Sequence, residues 1–183
     1  MTAYISMLRG INVAGHNQIK MTALQELFEA LGFERVQTYI QSGNVVFRAG
    51  ESSTLRISKK IEERITKEFG FRAPVVTRTS AEMGGVITSN PFLKTKGIDP
   101  TKLHLTFLSE APELAALKKL GEVAAGADQF RSCGREIYLY CPNGYGNTKL
   151  SNNTLEKILG SPATTRSWNT VNKLYEMSLQ SSE

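Results

Sequence analysis

Apolar residues recur along this chain at two spacings, and the spacing changes from segment to segment. Residues 3–8, AYISML, are a short apolar run followed by the polar stretch RGINVAGHNQIKM, as a buried strand leading into a loop would be. Leu24, Leu27, Phe28 and Leu31 then fall at helical spacing. Thr22 and Gln25 fit a capping box at the start of that helix, and Gly32 a stop at its end. Val36, Thr38 and Ile40 alternate, QSGN is turn chemistry, and VVF continues as a strand, so 36–48 predicts a hairpin. Ile57, Ile61, Ile65 and Phe69 recur every fourth residue with Lys, Arg and Glu between them, which predicts a helix over 54–69 ended by Gly70. APVVTR follows as a strand whose Pro74 suits its start or a sheet edge.

The order β-α-β-β-α-β within residues 1–78 is the ferredoxin-like split arrangement with an antiparallel sheet, and it places the last strand at an edge. Beyond it, Thr79 and Glu82 cap a short helix through Thr88. SNPFLKTKGIDPTK reads as a loop, LHLTFLS as a strand, and APELAALKKL as a helix with Pro112 near its start and Gly121 after its end. DQFRS and REIYLY form a hairpin around Cys133 and Gly134. Two helices close the chain. Ser151 or Asn152 caps the first, which ends at Gly160. Thr164 or Thr165 caps the second, which carries Trp168, Val171, Leu174 and Tyr175 on one side. The prediction is an α+β protein with a ferredoxin-like subdomain over 1–78, a connecting helix and loop over 79–102, and a second α+β subdomain over 103–183 ending in two helices. No internal repeat is visible in the sequence.

Composition narrows the class without naming a function. The chain has 183 residues, 40% of them hydrophobic, which suits one domain or two small subdomains with a packed core. The net charge of +5 is spread evenly, with +3 through residue 92 and +2 after it. No basic arm or tail for DNA is present. Cys133 and Cys141 flank REIYLY and show no zinc-type spacing, so no metal is expected. The first residues lack a secretory pattern, and no run approaches the roughly 18 apolar residues of a membrane span. The expectation is a cytoplasmic protein with reduced thiols, no membrane partner and no cofactor.

Three stretches are candidates for chemistry. In RGINVAGHN, Gly10 and Gly15 reproduce the glycine spacing of a phosphate-binding P-loop, but His16 and Asn17 stand where its Lys and Ser or Thr belong. A nucleotide triphosphatase motif is therefore excluded. The loop can still present N–H groups to an anion, with Arg9 adding charge, or serve only as an ordered turn. QSGNVVF places Asn44, Val45, Val46 and Phe47 on the third strand, without the basic, glycine-aromatic pattern of an RNA-recognition domain. A tight hairpin explains it. His104 sits in an apolar strand and reads as structural. His16, in a polar loop, is the one candidate acid or base. The third stretch is GYGNTKLSNNTLEKILGSPATTRSWNT. Helix caps account for its hydroxyls and some amides, but an Arg in a first helical turn opposes the helix dipole. Lys149 and Arg166 therefore pair as an anion grip with Trp168 as a stacking surface, or else Trp168 is core and Arg166 lies in water or on a carbonyl.

The blocks MLRGINVAGHNQIKM, TYIQSGNVVF, NPF, GYGNTKLSNNTLEKILG and TTRSWNTVNKL resemble, in order and across nearly the whole chain, those of the domain of unknown function 1697 family. The resemblance implies a two-subdomain α+β protein with a ferredoxin-like first part, in a bacterial-type cytosolic setting. It implies no activity. Ala14 departs from the glycine often found there. The combined expectation is a protein that binds a small anionic ligand or nucleic-acid phosphate in a polar cleft between subdomains. Arg9, Lys149 and Arg166 would supply charge, Asn12, Asn44 and Asn169 directed hydrogen bonds. The alternatives are an enzyme acting on a phosphorylated or carboxylated metabolite through His16, and an interaction module with no ligand.

Overall fold

A computed structural model describes residues 1–124 and 126–181. The chain forms two compact units, Met1–Gly85 with Lys173–Glu183, and Val86–Asn172. In the first, the strands are β1 (Thr2–Leu8), β2 (Glu34–Tyr39), β3 (Asn44–Ala49) and β4 (Val75–Thr79), with helices α1 (Met21–Ala30), α2 (Thr54–Phe69) and most of α3 (Ser80–Thr88). The second carries β5 (Leu103–Leu108), β6 (Gln129–Cys133), β7 (Glu136–Tyr140) and β8 (Ala163–Ser167), with α4 (Leu114–Val123), α5 (Asn152–Leu159) and the start of α6 (Trp168–Gln180). The fold class is α+β, and the ferredoxin-like order of the first unit is present.

The sequence shows no repeat, yet the topology repeats. Each unit runs β-α-β-β-α-β-α, and the two antiparallel sheets have the orders β2-β3-β1-β4 and β6-β7-β5-β8. Corresponding hydrogen bonds mark the equivalence. Leu8 N donates to Gly43 O at 2.8 Å, and Leu108 N to Arg135 O at 2.9 Å. The hydroxyls of Ser6 and Thr77 lie 2.7 Å apart, as do those of Thr106 and Thr165. Leu8 and Leu108, and Thr77 and Thr165, are the same residue, whereas Ser6 corresponds to Thr106 and Gly43 to Arg135, because a strand position requires only the right face and size.

Alternation decides which face each strand buries. On the helix side of the first sheet, Tyr4, Leu8, Val45, Phe47, Ala49 and Val75 pack with Leu24, Leu27, Phe28, Ile57, Ile61 and Ile65. The corresponding core of the second unit uses Leu108, Ile137, Leu139, Cys141 and Ala163 with Leu120 and Leu155. The helices end as their sequences direct. Ser53 and Ser151 cap α2 and α5, and Gly70 and Gly160 stop them in left-handed conformation at φ 76° and 67°. Thr79 and Glu82 form the expected reciprocal box at α3, with N···O distances of 2.8 and 3.0 Å.

Three local expectations differ from the structure. Helix α1 starts at Met21 with Lys20 at its N-cap and no side-chain cap, and Gln25 bonds Glu29 instead. The chain enters that helix already fixed at Ile19, whose N–H is held by Asn12. Helix α4 runs through Gly121 to Val123. Most important, residues 163–167 are not the capped start of a final helix but strand β8, paired antiparallel with β5. The Thr165 hydroxyl cannot cap because it donates to Asn152 Oδ1 at 2.6 Å and meets Thr106 on the neighbouring strand. Ser167 takes the cap role, accepting from Thr170 N at 3.3 Å.

Candidate functional site

The first loop, residues 9–20, is a built structure. Val13 and His16 bridge around Ala14 and Gly15, whose φ values of 49° and 79° make a tight left-handed turn. Asn12 holds the base of this small hairpin. Its Nδ2 donates to Ile19 O at 3.0 Å and Gln41 O at 2.9 Å, and its Oδ1 accepts from Ile19 N at 2.9 Å. Asn17 Nδ2 adds a bond to Gly10 O at 3.1 Å. Asn12 and Asn17 sit at φ 53° and 51°, which asparagine tolerates better than most residues. The bond to Gln41 ties this loop to the β2–β3 turn.

That turn is equally constrained. Asn44 is buried and donates to Tyr39 O at 2.9 Å and Ser42 Oγ at 3.0 Å. Gly43 has φ 82°, and a Cβ there would lie 2.7 Å from Ile11 Cδ1 and 2.9 Å from Leu8 Cβ. The sequence therefore located two polar blocks correctly but not their connection. Asn12 and Asn44 act as braces of the loop and turn, and Gly43 was missed. The signal for it was available: a glycine beside a turn asparagine marks backbone that must fold left-handed or approach closely.

Around this frame, Arg9 is half-buried, and its N–H donates to Pro74 O at 2.8 Å. His16 and Lys20 are exposed. Among the described residues no side chain is hydrogen-bonded to the His16 ring, and no carboxylate or nucleophile is positioned on it.

In the second unit the candidates divide between core and surface. Arg166 lies in β8 and is 8% exposed, and its Nη1 donates to Thr164 Oγ1 at 2.8 Å and Thr165 O at 3.0 Å. Arg78 occupies the same place in β4, 2% exposed, and donates to Thr77 O at 3.1 Å. A buried arginine at one position in both units belongs to the repeated frame, with local acceptors offsetting part of its desolvation. Trp168 is 7% exposed and gives a ligand little ring surface. Lys149 and Asn169 are exposed.

The stretch GYGNTK is a braced turn. Tyr145–Asn147 form one 3-10 turn, Asn147 Nδ2 donates to Asn143 O at 2.9 Å, and Thr148 Oγ1 to Asp128 Oδ2 at 2.6 Å. The turn lays Tyr145 on His104, with ring centroids 4.8 Å apart. Burial pushes the His104 pKa below its usual 6.5 and the Cys141 thiol up, which suits both to structural roles. Burial likewise raises the Tyr138 phenol, whose OH donates to Val86 O at 2.7 Å. The thiols are free, and no cluster of metal-ligating side chains occurs among the described residues.

The sheet faces opposite the helices offer no stacking platform. They carry Ile5, Met7, Val46 and Val76 in the first unit, and Leu105, Phe107 and Tyr138 in the second, all buried. Nucleic-acid recognition across an open sheet needs exposed aromatics on that face. No described helix is long and apolar enough to cross a membrane.

Comparison with known proteins agrees with this architecture. Residues 1–138 match the family described as "Protein of unknown function (DUF1697)". A solved structure of a conserved bacterial protein from Streptococcus pneumoniae is similar over 97% of this chain and 98% of its own, with a TM-score of 0.75 and 20% identity. At that identity the likeness is one of fold. No curated protein matches the chain.

Proposed function

The chain belongs to the DUF1697 family, whose description assigns no activity, and from its own residues we propose that it binds a small anionic ligand through loop 9–20 of the first unit. One observation carries this reading. The two units share a frame, and the second closes its β5–α4 link with five residues, 109–113, whereas the first uses twelve between β1 and α1. The added length is not needed to complete the fold, and it is not slack, because Asn12 and Asn17 pin it. The loop holds Arg9, His16 and Lys20 and no carboxylate. Its tip, Val13 to His16, is exposed and turns through the left-handed Ala14 and Gly15. Backbone N–H groups beside fixed positive charge favour an anion.

A thermal-shift series with phosphorylated and carboxylated metabolites tests this. One compound is expected to raise the melting temperature with concentration, as a ligand of the native state must. Lys20→Ala and Arg9→Ala should weaken that shift, and Lys149→Ala should leave it unchanged. A single-stranded oligonucleotide that binds instead, with affinity falling steeply as salt rises, would move the reading to nucleic-acid phosphate. No shift with any compound, or loss of the shift only in Lys149→Ala, would remove loop 9–20 as the site.

A further inference from the structure

A second place on the first unit lies outside this loop. Between α1 and the end of α2 is a groove of about 430 Å³ lined by Ala23, Glu26, Leu27, Ala30, Glu68 and Phe69. It exists because α1 presents short side chains there. Ala23 and Ala30 lie one turn to either side of Leu27, which is buried, and leave the half-buried Phe69 uncovered.

The second unit shows what a filled seam looks like. Helices α2 and α5 both end on a left-handed glycine, Gly70 and Gly160. Matching those glycines sets Glu68 against Ile158 and Phe69 against Leu159. Ile158 and Leu159 pack on the second core, whereas Glu68 is exposed on the first unit's surface. Substituting a carboxylate for an aliphatic at a seam leaves the gap open and gives it a sign.

The two charged residues of the lining are both acidic. Glu26 is exposed and has no partner among the described residues. Glu68 Oε1 accepts from Arg64 Nε at 2.5 Å, and its second oxygen has no partner among the described residues. No cation lines the groove. The chain as a whole carries +5, so this patch runs against the protein's overall charge. The volume falls in the range of small-ligand pockets, and the lining covers only two turns of α1 and the last residues of α2, too short to seat a partner helix.

We propose that this groove binds a small organic cation, its apolar body on Leu27 and Phe69 and its ammonium shared by Glu26 and Glu68. Amide NMR spectra with phenethylammonium, phenethyl alcohol and phenylacetate as probes test it. The ammonium should shift the amides of α1 and the end of α2 in a saturable way, the alcohol should bind more weakly, and the carboxylate should not bind. Glu26→Gln and Glu68→Gln should each weaken the ammonium by up to about fivefold. Ala30→Leu, at an exposed position that tolerates the larger side chain, should fill the groove and abolish binding of both ammonium and alcohol. The proposal is overturned if the alcohol binds as tightly as the ammonium, if both Gln variants bind unchanged, or if no saturable shift appears on these helices. Its success or failure is independent of loop 9–20, since Lys20→Ala should leave phenethylammonium binding unaltered.

Discussion

Thr77 in the first unit and Thr165 in the second occupy the same position in the last strand of the same topology, and each ties that strand to a neighbouring strand and to the second helix. Thr77 meets Ser6 and accepts from Ser58 at 2.9 Å, while Thr165 meets Thr106 and donates to Asn152. The frame thus keeps its geometry and this threonine while the residues that meet it differ. Elaboration sits elsewhere and at opposite ends. The first unit lengthens the β1–α1 link, beside the β2–β3 turn. The second lengthens β7–α5 to eleven residues, against four for β3–α2, beside the start of β5. Elements shared by both units are what the fold requires, and elements present in one are free to serve function.

The sharpest contrast is at the hairpin turns. Gly43→Ala forces a left-handed alanine against Ile11 and Leu8 and should cost about 3 kcal/mol. Gly134→Ala, in the corresponding turn at φ 57° with only Glu136 Oε2 nearby at 3.8 Å, should cost about 1 kcal/mol. Urea unfolding of both variants checks this, and equal losses would break the claim that only the first turn is locked onto its loop.

The hydroxyl pairs come next. Thr77→Val strands the hydroxyls of Ser6 and Ser58 in the core and should cost about 2 kcal/mol. Thr165→Val should cost about 1 kcal/mol, because it strands only the Thr106 hydroxyl in the core, while water can replace the lost partner at the partly exposed Asn152. The reverse ranking in urea midpoints would mean that the two networks are not equivalent.

A pH effect distinguishes another matched pair. Tyr4 of β1 corresponds to His104 of β5, since these face Thr79 and Ser167 across equivalent strands. Burial lowers the His104 pKa from 6.5, so the neutral ring is favoured in the folded state. Its contribution is full above pH 6.5 and is lost as pH falls below that value toward the folded pKa. Stability should decline on acidification through this window, and His104→Gln should flatten the decline. An unchanged slope would remove His104 from the account.

The smallest effect is expected at Ala14, left-handed at φ 49° in the loop that the second unit lacks. Glycine there relieves the strain but gains freedom in the unfolded chain, so Ala14→Gly should stabilise by about 0.5 kcal/mol. Loss of stability on this change, measured by thermal unfolding, would show that the turn is not under strain.

Much of the fold was legible locally. The isoleucine period of α2, the Ser151 cap of α5, the glycine stops of both helices and the Thr79–Glu82 box act within a few residues, and each appears in the structure where the sequence places it. The candidate site was legible only as blocks. That Asn12 and Asn44 are polar and lie near turns can be read from the chain. That Asn12 reaches Gln41, and that Asn44 is buried, depends on how β1 meets β3.

Residues 163–167 show where sequence stopped and tertiary structure took over. Thr164 and Thr165 satisfy the requirements of a helix cap and of a strand equally well, and nothing nearby in the chain separates the two. The decision comes from Thr106, 59 positions away, whose hydroxyl and strand accept Thr165 as a neighbour. Spacing, caps and stops are short-range and determined the elements. Pairing and the burial of Arg78 and Arg166 are long-range, and only the assembled sheets decided that two dissimilar stretches of sequence would build the same unit twice.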